Sequence, residues 1–261
     1  MTGSMSRLTR REFLLASGSA IAAAACESQT SAAQTPPSVD RALLKSRPGS
    51  APRDKPAPGL HPLGLSEGRD GFIYIPASYS AAKASPLVVL LHGAGQDARE
   101  WARPELSKLL DPVSVVAIIP ESRWPTWDMI YSDYGPDVRF IDQALALAFR
   151  KCRIDPKKIA VGGFSDGATY ALSLGITNAD LFSTVLAFSP GFVKPAAKRG
   201  KPRIFIAHGI RDQILPIDQT SREIVAALKE KNYPVRYDEF DGPHTVTMEI
   251  ARKGIEYFLR G

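Results

Sequence analysis

Five stretches of the chain are almost uninterruptedly apolar and are bounded by polar or turn-forming residues: Leu87–His92, Ser114–Pro120, Lys158–Gly163, Thr184–Ser189 and Arg203–His208. Apolar runs of this length without alternation mark strands buried on both faces. Val235–Phe240 reads as a further strand. Gly59–Leu65 and Gly71–Pro76 read as two short strands joined through Ser66-Glu67-Gly68, a hairpin signal. Between these runs the apolar residues recur at helical spacing, roughly over 98–110, 137–152, 166–176, 218–231 and 245–260. Strands alternating with helices predict an α/β fold, a mostly parallel sheet covered by helices on both faces. Such sheets bind ligands outside the carboxyl ends of their strands. The residues that follow each strand are therefore the candidates for chemistry.

Composition narrows the classes. The 261 residues are 44% hydrophobic and 23% charged, an ordinary globular balance. The net charge of +6 is small and scattered, so nucleic acid is not an expected partner. Two cysteines, Cys26 and Cys152, build neither a disulfide framework nor a cysteine-based zinc site. There is no His-Glu-x-x-His, P-loop or dinucleotide fingerprint, so neither a metal nor a cofactor is expected.

The first 58 residues differ from the rest. Thr9-Arg10-Arg11-Glu12-Phe13-Leu14-Leu15 opens a short run of small and apolar residues, the pattern of an export signal, and the paired arginines resemble the twin-arginine type. Residues 1–26 are therefore expected to route the chain to the periplasm or cell envelope. Cys26 follows Ala23-Ala24-Ala25, which resembles a lipoprotein cleavage box and would make Cys26 a lipid anchor; the alternative is a peptide cut nearby and discarded. Residues 27–58, rich in Pro, Ala and Ser, read as a flexible tether, and 59–261 as one catalytic domain.

Three strand ends carry chemistry. After Lys158–Gly163 comes Gly163-Phe164-Ser165-Asp166-Gly167 with a helical pattern behind it, so Ser165 sits on a sharp strand-to-helix turn that small neighbours permit. After Arg203–His208 comes Asp212, a carboxylate able to orient a base. Of four histidines only His244 follows that acid, in Asp241-Gly242-Pro243-His244, whereas His92 and His208 end strands and His61 precedes the sheet. Asp241 competes with Asp212 for the role of acid.

The order Ser165, Asp212, His244 is that of α/β-hydrolases. Residues 71–261 resemble the phospholipase/carboxylesterase branch of that superfamily, near the polyhydroxybutyrate depolymerase and feruloyl esterase-like enzymes. The resemblance is carried by HGAGQD (92–97), GGFSDGATYALSLG (162–175), AFSPGF (187–192), HGIRDQILP (208–216) and DGPHTV (241–246). It implies a serine esterase acting on small-molecule or oligomeric esters with Ser165, Asp212 and His244 as its triad. In this arrangement the amides of Ala94 and Asp166 form the oxyanion hole. Residues 190–202 are too few for a helical lid, which favours short or exposed acyl groups. The aromatic loop 120–136 offers Trp124, Trp127 and Tyr131 as one cleft wall, with Phe192 as another. A peptidase of prolyl-oligopeptidase type and a non-catalytic binding module on the same fold are the other readings. Residues 27–58 are too short for the former's extra domain, and an intact triad argues against the latter.

Overall fold

The computed structural model describes residues 39–49 and 56–261. The twin-arginine stretch Thr9–Leu15 and Cys26 lie outside the described residues, as does much of the 27–58 tether.

Eight strands form one sheet: β1 (Gly59–Pro62), β2 (Gly71–Ile75), β3 (Ser85–Leu91), β4 (Val116–Pro120), β5 (Ile154–Phe164), β6 (Thr184–Phe188), β7 (Arg203–Gly209) and β8 (Val235–Phe240). Their spatial order is β1-β2-β4-β3-β5-β6-β7-β8. The β1–β2 and β2–β4 pairs are antiparallel and the remaining pairs parallel. Along the central strands alternate residues enter two separate cores. Leu87, Val89 and Leu91 join one, whereas Val88 and Leu90 join the other. Both faces are thus apolar, which is why these strands read as continuous hydrophobic runs.

The helices are α1 (Glu105–Leu110), α2 (Asp128–Tyr131), α3 (Pro136–Lys151), α4 (Asp166–Thr177), α5 (Ser221–Glu230) and α6 (Met248–Leu259). Connections from β3 lead outward to β4 on one side, and the chain then returns to place β5 on the other. The strand order therefore reverses at the β3–β5 pair, and a crevice opens above their carboxyl ends.

The elements differ from the expected pattern in three places. The helix expected over 98–110 is broken into a 3₁₀ turn at Ala98–Glu100 and α1, with Pro104 at the N-cap of α1. Proline cannot donate its backbone nitrogen and disfavours a helical residue before it. The long loop 120–136 contains α2. Finally, residues 39–49, assigned above to the tether, pack on the domain. Ala42 and Leu44 are buried, and Asn178 at the end of α4 donates to the Ala42 carbonyl (2.9 Å) and accepts the Leu44 N–H (2.9 Å). Asp142 of α3 accepts the N–H groups of Lys45 and Ser46. Two well-placed apolar residues and a set of backbone partners order a segment whose composition alone reads as polar linker.

Candidate active site

Ser165 joins β5 to α4 with φ 56° and ψ −120°, a left-handed conformation that costs a non-glycine residue on the order of 1–3 kcal/mol. The flanking glycines make it attainable. A Cβ on Gly163 would lie 2.5 Å from the carbonyl of Gly167, and one on Gly167 would lie 2.5 Å from the His92 oxygen. The backbone of Ser165 is held on both sides: its N–H donates to Phe188 O, and its carbonyl accepts from Ala168 and Thr169. Ser165 stands at the N-cap position, but its side chain caps nothing. The hydroxyl instead meets His244 Nε2 at 2.9 Å.

The other nitrogen of His244, Nδ1, lies 2.5 Å from Asp212 Oδ2. Facing a carboxylate, Nδ1 carries the proton, which leaves Nε2 free to accept from Ser165. Asp212 is buried, and its Oδ1 accepts the N–H groups of Ile214 and Leu215, each at 2.9 Å. Burial alone would raise its pKa. The Leu215 and Ile214 amides together with His244 outweigh that effect and hold it below the usual carboxylate value. Asp241, the competing acid, points elsewhere: it pairs with Arg211 at 2.8 Å, both side chains largely in solvent.

The sequence reading missed one partner. His208, fully buried at the end of β7, places Nε2 2.9 Å from Asp212 Oδ2 and 2.9 Å from Leu215 O. Both are acceptors, so Nε2 carries the proton and Nδ1 accepts from the Ser221 hydroxyl at 2.7 Å. Burial lowers the pKa of His208 despite the pull of Asp212, which keeps the ring neutral. The available signal was a histidine ending a buried strand four residues before a candidate acid; such a ring must find partners.

Beside the serine, the amides of Ala94 and Asp166 have no acceptor among the described residues. The loop carrying Ala94 is tightly held. His92 sits beneath it with Nδ1 on Gly93 O (2.8 Å), while Nε2 accepts the Ser122 N–H (3.0 Å). Burial pushes the His92 pKa down to about 4, so the ring is neutral near pH 7 and keeps this tautomer. Gln96 accepts the Gly93 N–H, Gly95 N–H donates to Pro125 O, and Trp127 Nε1 donates to His92 O at 2.9 Å. Two fixed, unsatisfied amides beside a serine hydroxyl are suited to an oxyanion.

The aromatic residues separate. Trp127 is fully buried, packed on His92 and Tyr170, so its expected place in the cleft wall is corrected: it supports the Ala94 loop from below. Trp124, Tyr131 and Phe192 are exposed at the carboxyl edge of the sheet. The loop bearing the first two is fixed by buried carboxylates. Asp137 accepts the N–H groups of Arg123 and Asp128, and Asp128 accepts those of Gly135 and Asp137. A cavity of about 320 Å³ lies between α1 and α6 beside His244, and a larger, more open depression of about 580 Å³ touches His244 from the Arg211 side. Among the described residues no cluster of side chains could hold a metal ion.

Residues 138–256, just under half of the chain, match the family described as Phospholipase/Carboxylesterase. The bifunctional acetylxylan esterase/xylanase XynS20E of Neocallimastix patriciarum is 30% identical over 58% of this chain and 22% of its own length. The putative esterase NocK of Nocardia uniformis subsp. tsuyamanensis is 26% identical over 56% of this chain and 45% of its own. The chain thus spans less than half of either relative. Among solved structures, the ferulic acid esterase AmCE1/Fae1A of Anaeromyces mucronatus superimposes with a TM-score of 0.58 at 18% identity, over 83% of this chain and 93% of that one. The fold is that of the α/β-hydrolases, with no large lid among the described residues.

Proposed function

We propose that the protein is a serine esterase that cleaves carboxylic esters through an acyl-enzyme. The observation that carries this is the continuous chain Ser165–His244–Asp212, with links of 2.9 and 2.5 Å, beside two free amides. Ser165 Oγ attacks the ester carbonyl carbon while its proton passes to His244 Nε2, and Asp212 stabilises the imidazolium. The carbonyl oxygen gains the negative charge and accepts the N–H groups of Ala94 and Asp166. As the tetrahedral species collapses, the bond to the alcohol oxygen breaks, and His244 returns its proton to that oxygen. Water then attacks the acyl-enzyme, gives a proton to His244, and the acid departs as Oγ is reprotonated. The relatives' names, an acetylxylan esterase and a putative esterase, support an ester as the substrate.

The test is Ser165→Ala assayed on p-nitrophenyl butyrate, with fluorophosphonate labelling of the wild type. The variant should lose about 10⁴-fold or more in kcat with an unchanged circular dichroism spectrum, and label should be found on Ser165. A folded Ser165→Ala protein with full activity would reject the assignment.

A further inference from the structure

We infer that the cavity between α1 and α6 seats the alcohol half of the ester, and that the alcohol it suits carries no negative charge and has an apolar body about the size of a ring. The inference rests on the acyl-transfer reading above. In that reaction His244 Nε2 hands its proton to the departing alcohol oxygen, so this oxygen must lie against His244, and whatever it carries extends along the same side. His244 itself forms part of the cavity wall. Phe164, whose ring centroid is 4.6 Å from that of His244, continues the wall, and Trp101, Leu106, Leu109, Val246 and Ala251 supply more of its apolar part. None of the exposed aromatics Trp124, Tyr131 and Phe192 borders it, which leaves their side of Ser165 to the acyl group.

Size and lining specify the occupant. An apolar cavity of ~150 Å³ accepts a benzene molecule; one of about 320 Å³ takes a substituted ring. The wall is more hydrocarbon than polar; Glu100 and Arg103 on it are paired with each other at 2.7 Å, which leaves Glu105 as the acidic side chain without an ion-pair partner among the described residues. An anionic alcohol would find no free cation there and would meet Glu105. A second depression touches His244 beside Arg211, Gln213, Ile214 and Pro243. It is larger, about 580 Å³, but more open to solvent, and Ile214 on its wall is 58% exposed, so it encloses a ligand less than the first cavity does.

The experiment compares two ester series on the full chain. Acetates of ethanol, benzyl alcohol and cyclohexylmethanol vary the alcohol at similar leaving-group basicity. Ethyl acetate, butyrate and hexanoate vary the acyl group. In the wild type, kcat/KM for benzyl over ethyl acetate should be at least about tenfold. Ala251→Phe, which fills the cavity, should bring that ratio near unity. Met248→Ala, at the exposed mouth and thus safe for folding, should lower it about threefold. A wild-type ratio near unity overturns the inference. So does a loss, in either variant, that falls on the hexanoate-over-acetate ratio instead, since the cavity would then be the acyl site. A wild type that turns over no ester and takes no fluorophosphonate rejects the esterase reading itself, a distinct outcome.

Discussion

Asp212 Oδ2 is shared by two imidazoles, His244 at 2.5 Å and His208 at 2.9 Å, and the sharing divides its negative charge. The His208 donor, with the Ile214 and Leu215 amides, holds the carboxylate in the orientation that His244 meets. His208→Phe frees that carboxylate to turn and is therefore expected to lower kcat about tenfold, the worth of one hydrogen bond to a charged group, with little change in KM. His208→Gln, which can still present an N–H to Asp212, should restore most of kcat. An unchanged kcat together with a raised KM would reduce His208 to a packing residue. Ser165, Asp212 and His244 were legible because each follows a strand and their order along the chain is diagnostic. His208 was not, because its partner is set by where β7 ends relative to the Asp212 turn, which no local pattern encodes. The aromatic composition of 120–136 likewise could not say that Trp127 faces the core while Trp124 faces solvent.

The central strands were legible as elements for a physical reason: both faces are buried, so their sequences are apolar throughout. Segments ordered by polar contacts were not. The segment 39–49 reads as linker, yet Leu44 enters the core and Asn178 bonds the segment's backbone on both sides of Leu43. Leu44→Ala is expected to cost about 2–3 kcal/mol through the cavity it leaves. That would lower the melting temperature by roughly 5–10 °C in a domain of this size. Asn178 lies at the opposite end of α4 from Ser165, about 20 Å along the helix at roughly 1.5 Å per residue. Esterase kcat should accordingly stay within about twofold of the wild type. Thermal melts and p-nitrophenyl butyrate kinetics on the same preparation check both halves; an unchanged melting temperature would return 39–49 to the role of tether. The same limit on sequence reading explains α2, whose surroundings depend on the mutual hydrogen bonds of Asp128 and Asp137 rather than on any hydrophobic period.

For the molecule as a whole, the parallel strands deliver Ala94, Ser165, Asp212 and His244 to one edge of the sheet, and the open question is what covers that edge. Lipases whose rate jumps at an interface do so because an ordered cover swings away. The segment in the position for such a cover is 189–202, between β6 and β7, and it contains no helix. It is also pinned. Thr169, Ser173 and Thr177, spaced one turn apart on α4, accept the N–H groups of Gly191, Lys194 and Ala196 at 2.9, 2.9 and 3.1 Å. The same hydroxyls donate to the carbonyls of Ser165, Thr169 and Ser173 one turn earlier, so both their donors and acceptors are engaged. Tyr134 adds a bond to Lys194 O at 2.9 Å. Opening this loop would break four hydrogen bonds, three of them to hydroxyls of a buried helix, whereas leaving it in place obstructs nothing that the triad needs. The exposed Trp124, Tyr131, Phe192 and Ile214 on the same edge can touch an apolar surface, but with no cover to displace, that contact has no catalytic switch to operate. The rate on tributyrin should therefore follow a smooth saturation curve through the solubility limit, and activity on triglycerides should fall as the acyl chain lengthens from butyrate to oleate. A sharp rise in rate at the solubility limit, measured by titration of released acid, would show that a cover exists and that the pinned loop moves.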